Sequence, residues 1–109
     1  MRSARRRARE MAVQGLYSWQ MSGLPAIEIL NHLADSKDYE RVDRAMLNRL
    51  LSGVIDAADS LRETLAPLLD RPWPGLSPVE RAVLLLAAYE LSATPEVPYR
   101  VVINEAVDL

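Results

Sequence analysis

Residues 3–20 constrain the fold of this chain more than any other stretch, because a basic cluster runs without a break into an amphipathic segment. Four arginines fall within residues 5–9, and Ser3 before them is suited to cap a helix. Apolar residues then recur at helical spacing as far as Trp19. Gly15 lies on this apolar stripe, which predicts close packing by a second helix. One helix is therefore predicted to build the core while it exposes a basic end.

Breaks in the helical pattern divide the chain into about six predicted helices. Gly23 is placed to end the first helix, and Pro25, at a first helical position, opens the second. Apolar residues over positions 46–58 form the strongest helical pattern. It resumes over residues 61–69, after a bend expected near Ser60. The proline-rich residues 70–75 are predicted to be a connector.

The clearest helix start is a capping box. Ser77 precedes Pro78, and Glu80 follows three residues after the serine. Residues 83–88 behind it are apolar on all sides, which predicts a central, buried helix. A last helical pattern over residues 99–109 stops without a glycine or a basic last turn, so the chain is expected to be part of a longer protein.

The same patterns set the fold class. Strand alternation and hairpin signals are absent from the sequence. The 109 residues are therefore predicted to form an all-α, compact helical bundle, as one RNA- or protein-binding domain that is truncated at its C-terminal end.

Composition excludes several classes of protein. The net charge is −2, but the first ten residues carry +4 and the remaining residues −6, so any polyanion site must be local. The chain has no cysteine, which excludes disulfides and a thiolate metal site and fits a reducing cytoplasm. The single histidine, His32, has no nucleophile or metal ligand beside it, and no phosphate-binding loop or hydrolase motif occurs. The sequence predicts neither an enzyme nor a cofactor or metal site, nor a membrane span.

The arginines give the strongest functional signal. On a helix, Arg2, Arg5, Arg6 and Arg9 fall on one side, and Arg7 projects about 100° away from them. Guanidinium groups make planar, bidentate contacts with phosphate and stack on unpaired bases. Like charges at a helix start cost stability, which favours an anionic partner that offsets them. Binding of RNA or DNA and a merely solvated, frayed terminus both stay open on composition alone.

The acidic remainder of the chain points to a second partner of another kind. A body of charge −6 attracts a basic protein. Tyr17 shares one helix side with Met21, away from the core stripe, and an exposed tyrosine flanked by apolar groups is a common interface anchor. A tyrosine that lies along the core is an equally acceptable interpretation. Glu80 is explained by its capping box alone.

Four motifs resemble the NusB family of transcription antitermination factors, in order across the chain. They are ARRRARE at residues 4–10, LYSWQ at 16–20, VERAVLLLAAYEL at 79–91 and VPYRVVINEAVDL at 97–109. The resemblance implies an all-helical, non-enzymatic bacterial protein that pairs with NusE, a small-subunit ribosomal protein. The pair is expected to bind the single-stranded boxA element of nascent RNA and so to act on RNA polymerase.

The resemblance also implies roles for particular residues. Arg5, Arg6, Arg7 and Arg9 occupy the motif positions that contact boxA RNA, while Tyr17 and Glu80 match positions at the NusE surface. Two features depart from the family pattern. An AK-x-FG stretch, a K-[FY]-VNG motif and a final helix would follow Leu109, and two leucines replace an aromatic residue near the end of the helix before the connector, at positions 68 and 69.

Two alternatives remain open at this point. The same helical domain occurs as the RNA-binding N-terminus of ribosomal RNA cytosine methyltransferases. The other is a purely protein-docking or self-associating module, including a homodimer that buries Tyr17 or the arginines. The arginine-led start and the LYSWQ segment favour the free-standing factor.

Overall fold

Four α-helices and the segments that connect them make up residues 3–93, the part of the chain that the computed structural model describes. Helix α1 spans Ala4–Ser22, α2 spans Ala26–Leu33, α3 spans Arg44–Leu65 and α4 spans Pro78–Ala93. Short 3-10 segments occupy Lys37–Arg41, Ala66–Leu68 and Trp73–Gly75. No strand occurs in these residues, and the predicted all-α class is confirmed. None of the described helices is both long and apolar enough to cross a bilayer.

The expected count of about six helices is not supported. Helix α3 continues through Asp59 and Ser60, where a bend was expected, because Leu61 keeps the buried face of the helix in register. Two predicted helices are therefore one, 22 residues long. The last predicted helix, over residues 99–109, lies outside the described residues.

Most helix ends form where the sequence places them. The Ser3 hydroxyl accepts a hydrogen bond from the Arg6 backbone N–H at 3.1 Å, which caps α1. Gly23 ends α1 with a left-handed φ of 71°, and its N–H donates to the Trp19 carbonyl at 2.8 Å. Pro25 is the residue before α2 rather than its first residue.

Three helices pack on one another, and α2 lies against α1 and α3. A Cβ added at Gly15 would lie 3.0 Å from Leu51 Cδ1, so the predicted close packing of α1 is confirmed, with α3 as its neighbour. The Asp43 N–H donates to the Ala4 carbonyl at 3.0 Å, which places the starts of α1 and α3 at the same end of the bundle. Since Arg9 contacts Glu90 near the end of α4, α4 runs in the opposite direction to α1.

The core lies between these helices. Helix α4 is buried over most of its middle, as its apolar composition predicts. A Cβ at Gly53 would overlap the Tyr89 ring, so α3 and α4 approach closely there. Each fully buried leucine or valine contributes about 1.5–3 kcal/mol to folding relative to its exposed state. The largest fully buried side chains are Leu16, Ile29, Leu47, Leu50, Leu51, Val54 and Leu86.

Candidate nucleic-acid and protein interfaces

The arginine-rich start of α1 reaches the surface at the end of the bundle that it shares with the start of α3. Arg5 is exposed, and Arg6 and Arg7 are partly exposed. The Arg6 guanidinium lies 3.6 Å from the Glu10 carboxylate one turn later. Unsatisfied backbone N–H groups give the start of a helix a partial positive charge, which adds to that of the arginines. This end of α1 therefore presents several cations in one region. Arg2 lies outside the described residues.

Arg9 differs from the other arginines. Its Nε donates to both carboxylate oxygens of Glu90, at 2.9 and 3.2 Å. Only 16% of the Arg9 side chain and 10% of the Glu90 side chain are exposed. The sequence groups Arg9 with Arg5 and Arg6 on one helix side, but the structure directs its guanidinium against α4. The predicted RNA contact of Arg9 remains a hypothesis.

The other end of α1 forms a different surface with the start of α4. The Gln20 side-chain amide donates to the Pro78 carbonyl at 2.8 Å and holds the two helices together there. Three large apolar side chains stay exposed on these segments: Tyr17 at 42%, Met21 at 59% and Val79 at 51%. Exposed aromatic and methionine side chains of this kind are enriched at protein interfaces. Tyr17 and Met21 were singled out by the sequence, and Val79 was not.

Glu80 stands on the first turn of α4 beside Val79, with both carboxylate oxygens in use. Oε1 accepts from the Ser77 backbone N–H and Oε2 accepts from Arg71 Nη2, each at 2.9 Å. The Ser77 hydroxyl accepts from the Glu80 backbone N–H at 3.1 Å, which completes the predicted capping box. Hydrogen bonds with Ser77, the backbone one first, and then the charge of Arg71 hold the pKa of Glu80 below its ordinary value.

The described residues offer no arrangement for catalysis. His32 is exposed on α2, and no group of three potential metal ligands occurs in the described part of the chain. An apolar groove of about 340 Å³ between the end of α3 and the end of α4 is lined by leucines and alanines with Thr64 and Ser92. No acid or base is among the described residues that line it, so these residues offer neither proton transfer nor an activated nucleophile there.

Besides Val79, two charged functional candidates, Glu90 and Arg71, were missed by sequence reasoning. Glu90 is a single carboxylate within a segment that was predicted to be buried, and a buried charge requires a partner. Since the largest cationic excess in the sequence is at its start, Glu90 pointed to the arginines of α1. The pairing of Arg71 with Glu80 had no such signal, because both residues are exposed and the connector between them follows no periodic pattern.

Comparisons with known proteins agree with the resemblance seen in the motifs. The model of the NusB family matches residues 6–109. A protein named transcription antitermination protein NusB from Paraburkholderia phymatum is 57% identical over 109 residues, which is all of this chain and 75% of the relative. A protein of the same name from Paraburkholderia phytofirmans is 53% identical over the whole of this chain and 76% of the relative. A third protein of this name, from Burkholderia cenocepacia, is 53% identical over 99% of this chain and 74% of the relative.

Proposed function

Since the chain belongs to the NusB family, we propose that it works as a transcription antitermination factor with two docking surfaces on α1. The arginine-rich start holds single-stranded boxA RNA, and the far end of α1, with the start of α4, holds NusE. Through both partners the chain joins the antitermination complex of RNA polymerase. The relatives are named as antitermination proteins rather than enzymes, in agreement with the predicted lack of catalysis.

The observation that carries the RNA assignment is the exposure of arginines at the capped start of α1. Arg5 is exposed, and Arg6 and Arg7 retain part of their surface in water. The rest of the chain has a net negative charge, so phosphate is attracted most strongly to this end. Arginine also stacks on unpaired bases, which favours a single-stranded ligand over a duplex.

The NusE assignment is supported by an apolar patch beside an acidic group. The hydrogen bond from Gln20 to Pro78 joins the end of α1 to the start of α4. The exposed apolar side chains on these two segments are Tyr17, Met21 and Val79, and Glu80 follows Val79 on α4. A basic protein would place an apolar anchor on the patch and a cation beside the carboxylate.

The two surfaces are close enough for simultaneous occupation. Arg5 and Tyr17 are twelve residues apart on one helix, which is about 18 Å at 1.5 Å per residue. A partner bound at one surface would present ordered groups beside the other surface, so binding of one lowers the cost of binding the other.

A salt titration tests the RNA assignment. Each neutralised phosphate contributes about −0.7 to the slope of log K against log salt for single strands, so about four contacts give a slope near −3. We expect the pair Arg5→Ala and Arg7→Ala to make the slope about 1.4 less steep in fluorescence anisotropy with boxA RNA. Arg62→Ala is the control, because it also removes one positive charge but lies near the end of α3, away from the start of α1. It should leave the slope unchanged. A flat response of the unmodified protein, or full binding by the double variant, would sink the assignment.

A charge reversal tests the NusE assignment. Glu80→Lys places a cation before a basic partner and should abolish NusE capture in a pull-down. Glu80→Gln is the matched control, because glutamine at this position also closes a capping box while removing the charge. It should weaken capture without loss of helix content in circular dichroism. Normal capture by a folded Glu80→Lys variant would contradict the assignment.

A further inference from the structure

We propose that Arg44, at the start of α3, is a further RNA-contacting residue that takes a phosphate of the strand held by the arginines of α1, and that Tyr39 positions its guanidinium. The inference rests on the proposed function, because it extends the RNA surface from α1 to a second part of the chain. Neither residue lies in the four motifs that resemble the family.

A backbone hydrogen bond brings Arg44 beside the arginine-rich start of α1. The Asp43 N–H donates to the Ala4 carbonyl at 3.0 Å, and Arg5 and Arg44 each follow one of these two residues. With standard backbone dimensions, the α-carbons of Arg5 and Arg44 are therefore no more than about 11 Å apart. Both residues are exposed, and their side chains are long enough for the two guanidinium groups to contact one strand.

The Arg44 guanidinium is held by an aromatic ring rather than by an acid. Its Cζ lies 4.7 Å from the centroid of the Tyr39 ring, which is a cation–π contact. Tyr39 packs against the core and is only partly exposed, so the ring is a fixed support. Among the described residues, no carboxylate forms an ion pair with Arg44. A cation that is held in place without being neutralised is suited to a phosphate, because its side chain loses less freedom on binding.

The charge of the surrounding segment does not by itself attract RNA. Residues 37–44 contain three bases and three acids. The Asp43 carboxylate caps α3, where its Oδ1 accepts from the Met46 N–H at 3.0 Å. What favours a phosphate here is therefore the position of Arg44 beside the arginines of α1, and a single contact is expected.

A salt titration with three single variants tests this contact. Fluorescence anisotropy with boxA RNA compares Arg44→Ala with Arg5→Ala, the reference for loss of a contacting arginine of α1. Arg62→Ala is the matched control, because Arg62 is also an exposed arginine of α3 that lies over an aromatic ring, 5.6 Å from the centroid of Trp73. Arg62 follows Arg44 by eighteen residues on the same helix, which is about 27 Å at 1.5 Å per residue.

The contact predicts a loss at the start of α3 and none at its end. Arg44→Ala should make the slope of log K against log salt about 0.7 less steep, as Arg5→Ala should, and lower the affinity about fivefold at about 0.1 M salt. Arg62→Ala should change neither quantity.

Two substitutions at Tyr39 test its positioning role. Tyr39→Leu keeps an apolar side chain against the core but removes the face of the ring. It should weaken RNA binding about twofold without changing the slope, because the charge of Arg44 remains. Tyr39→Phe keeps the ring and should bind as the unmodified protein does.

The contact is ruled out if folded Arg44→Ala keeps the slope and affinity of the unmodified protein while Arg5→Ala loses both. It is also ruled out if Arg62→Ala loses as much slope as Arg44→Ala, since removal of any cation would then have the same effect. The positioning role is wrong if Tyr39→Leu, with unchanged circular dichroism, binds RNA as Tyr39→Phe does. Failure of the proposed function looks different, because the unmodified protein itself would then show no salt dependence.

Discussion

Two arginine–glutamate pairs in this molecule have the same closest distance and opposite surroundings. Arg9 with Glu90 and Arg71 with Glu80 both approach to 2.9 Å. The first pair leaves 16% and 10% of its side chains exposed, and the second leaves 60% and 47%. A short distance alone therefore does not tell what an ion pair does. The exposure of the pair to water decides whether it holds two helices together or can give up one partner to another charged group.

The difference corresponds to the two proposed surfaces. The Arg9–Glu90 pair joins α1 to α4 across most of the chain, and its separation is costly because both side chains are largely removed from water. The Arg71–Glu80 pair is local, nine residues apart, and water replaces either partner at small cost. An incoming basic residue can therefore take the place of Arg71, whereas Arg9 and Glu90 are expected to stay together.

Breaking the buried pair should have the largest effect. Glu90→Ala should lower the free energy of unfolding by about 3 kcal/mol, near the low end for buried pairs because Arg9 keeps some exposure. Urea denaturation followed by circular dichroism measures this loss, and Arg71→Ala should leave the midpoint unchanged within error. Equal effects of the two substitutions would show that the difference in burial has no energetic consequence.

Removing Arg71 should change binding rather than stability. Arg71 repels a basic partner and occupies Oε2 of Glu80, so Arg71→Ala should accelerate NusE association severalfold at low salt. The advantage should shrink as salt is added, because an exposed charge is screened. Stopped-flow fluorescence would measure the rate. Slower association would mean that Arg71 itself contacts NusE.

The smallest expected effect is the pH dependence of the free energy of unfolding that arises from Glu80. Its pKa is lower in the folded protein than its ordinary value of 4.5, so its contribution is fully present above that value. The contribution is lost as pH falls through the lower, folded pKa. The stability difference between the unmodified protein and Glu80→Gln should therefore be largest above pH 4.5 and shrink in stronger acid. A difference that stays constant across an acid titration of urea unfolding would contradict this.

The sequence predicts local features of the fold well and the direction of single side chains poorly. Ser3, Gly23 and Ser77 act within one turn of the chain, so their capping roles follow from neighbouring residues. The bend expected near Ser60 does not form, because packing of Leu61 against the core outweighs the polar pair before it. Such packing depends on residues far away in the chain.

The same limit applies to the candidate sites. The basic end follows from composition and spacing, since charge and helical side are local properties. The exposure of Tyr17 was one of two open interpretations, and the structure shows it. Spacing alone put Arg9 with Arg5 and Arg6, because a helical wheel does not show which neighbouring helix carries a carboxylate. Val79 escaped notice because its exposure depends on how α4 meets α1.

The most direct test of two separate surfaces on α1 is a crossed titration of two variants with each partner alone. We expect the variant with Arg5→Ala and Arg7→Ala to lose RNA affinity and keep NusE affinity in isothermal titration calorimetry. Tyr17→Ala should keep RNA affinity and lose about 2 kcal/mol of NusE binding, as an aromatic anchor does. If each variant instead weakened both partners equally, RNA and NusE would share one surface, and the division of α1 into two ends would be wrong.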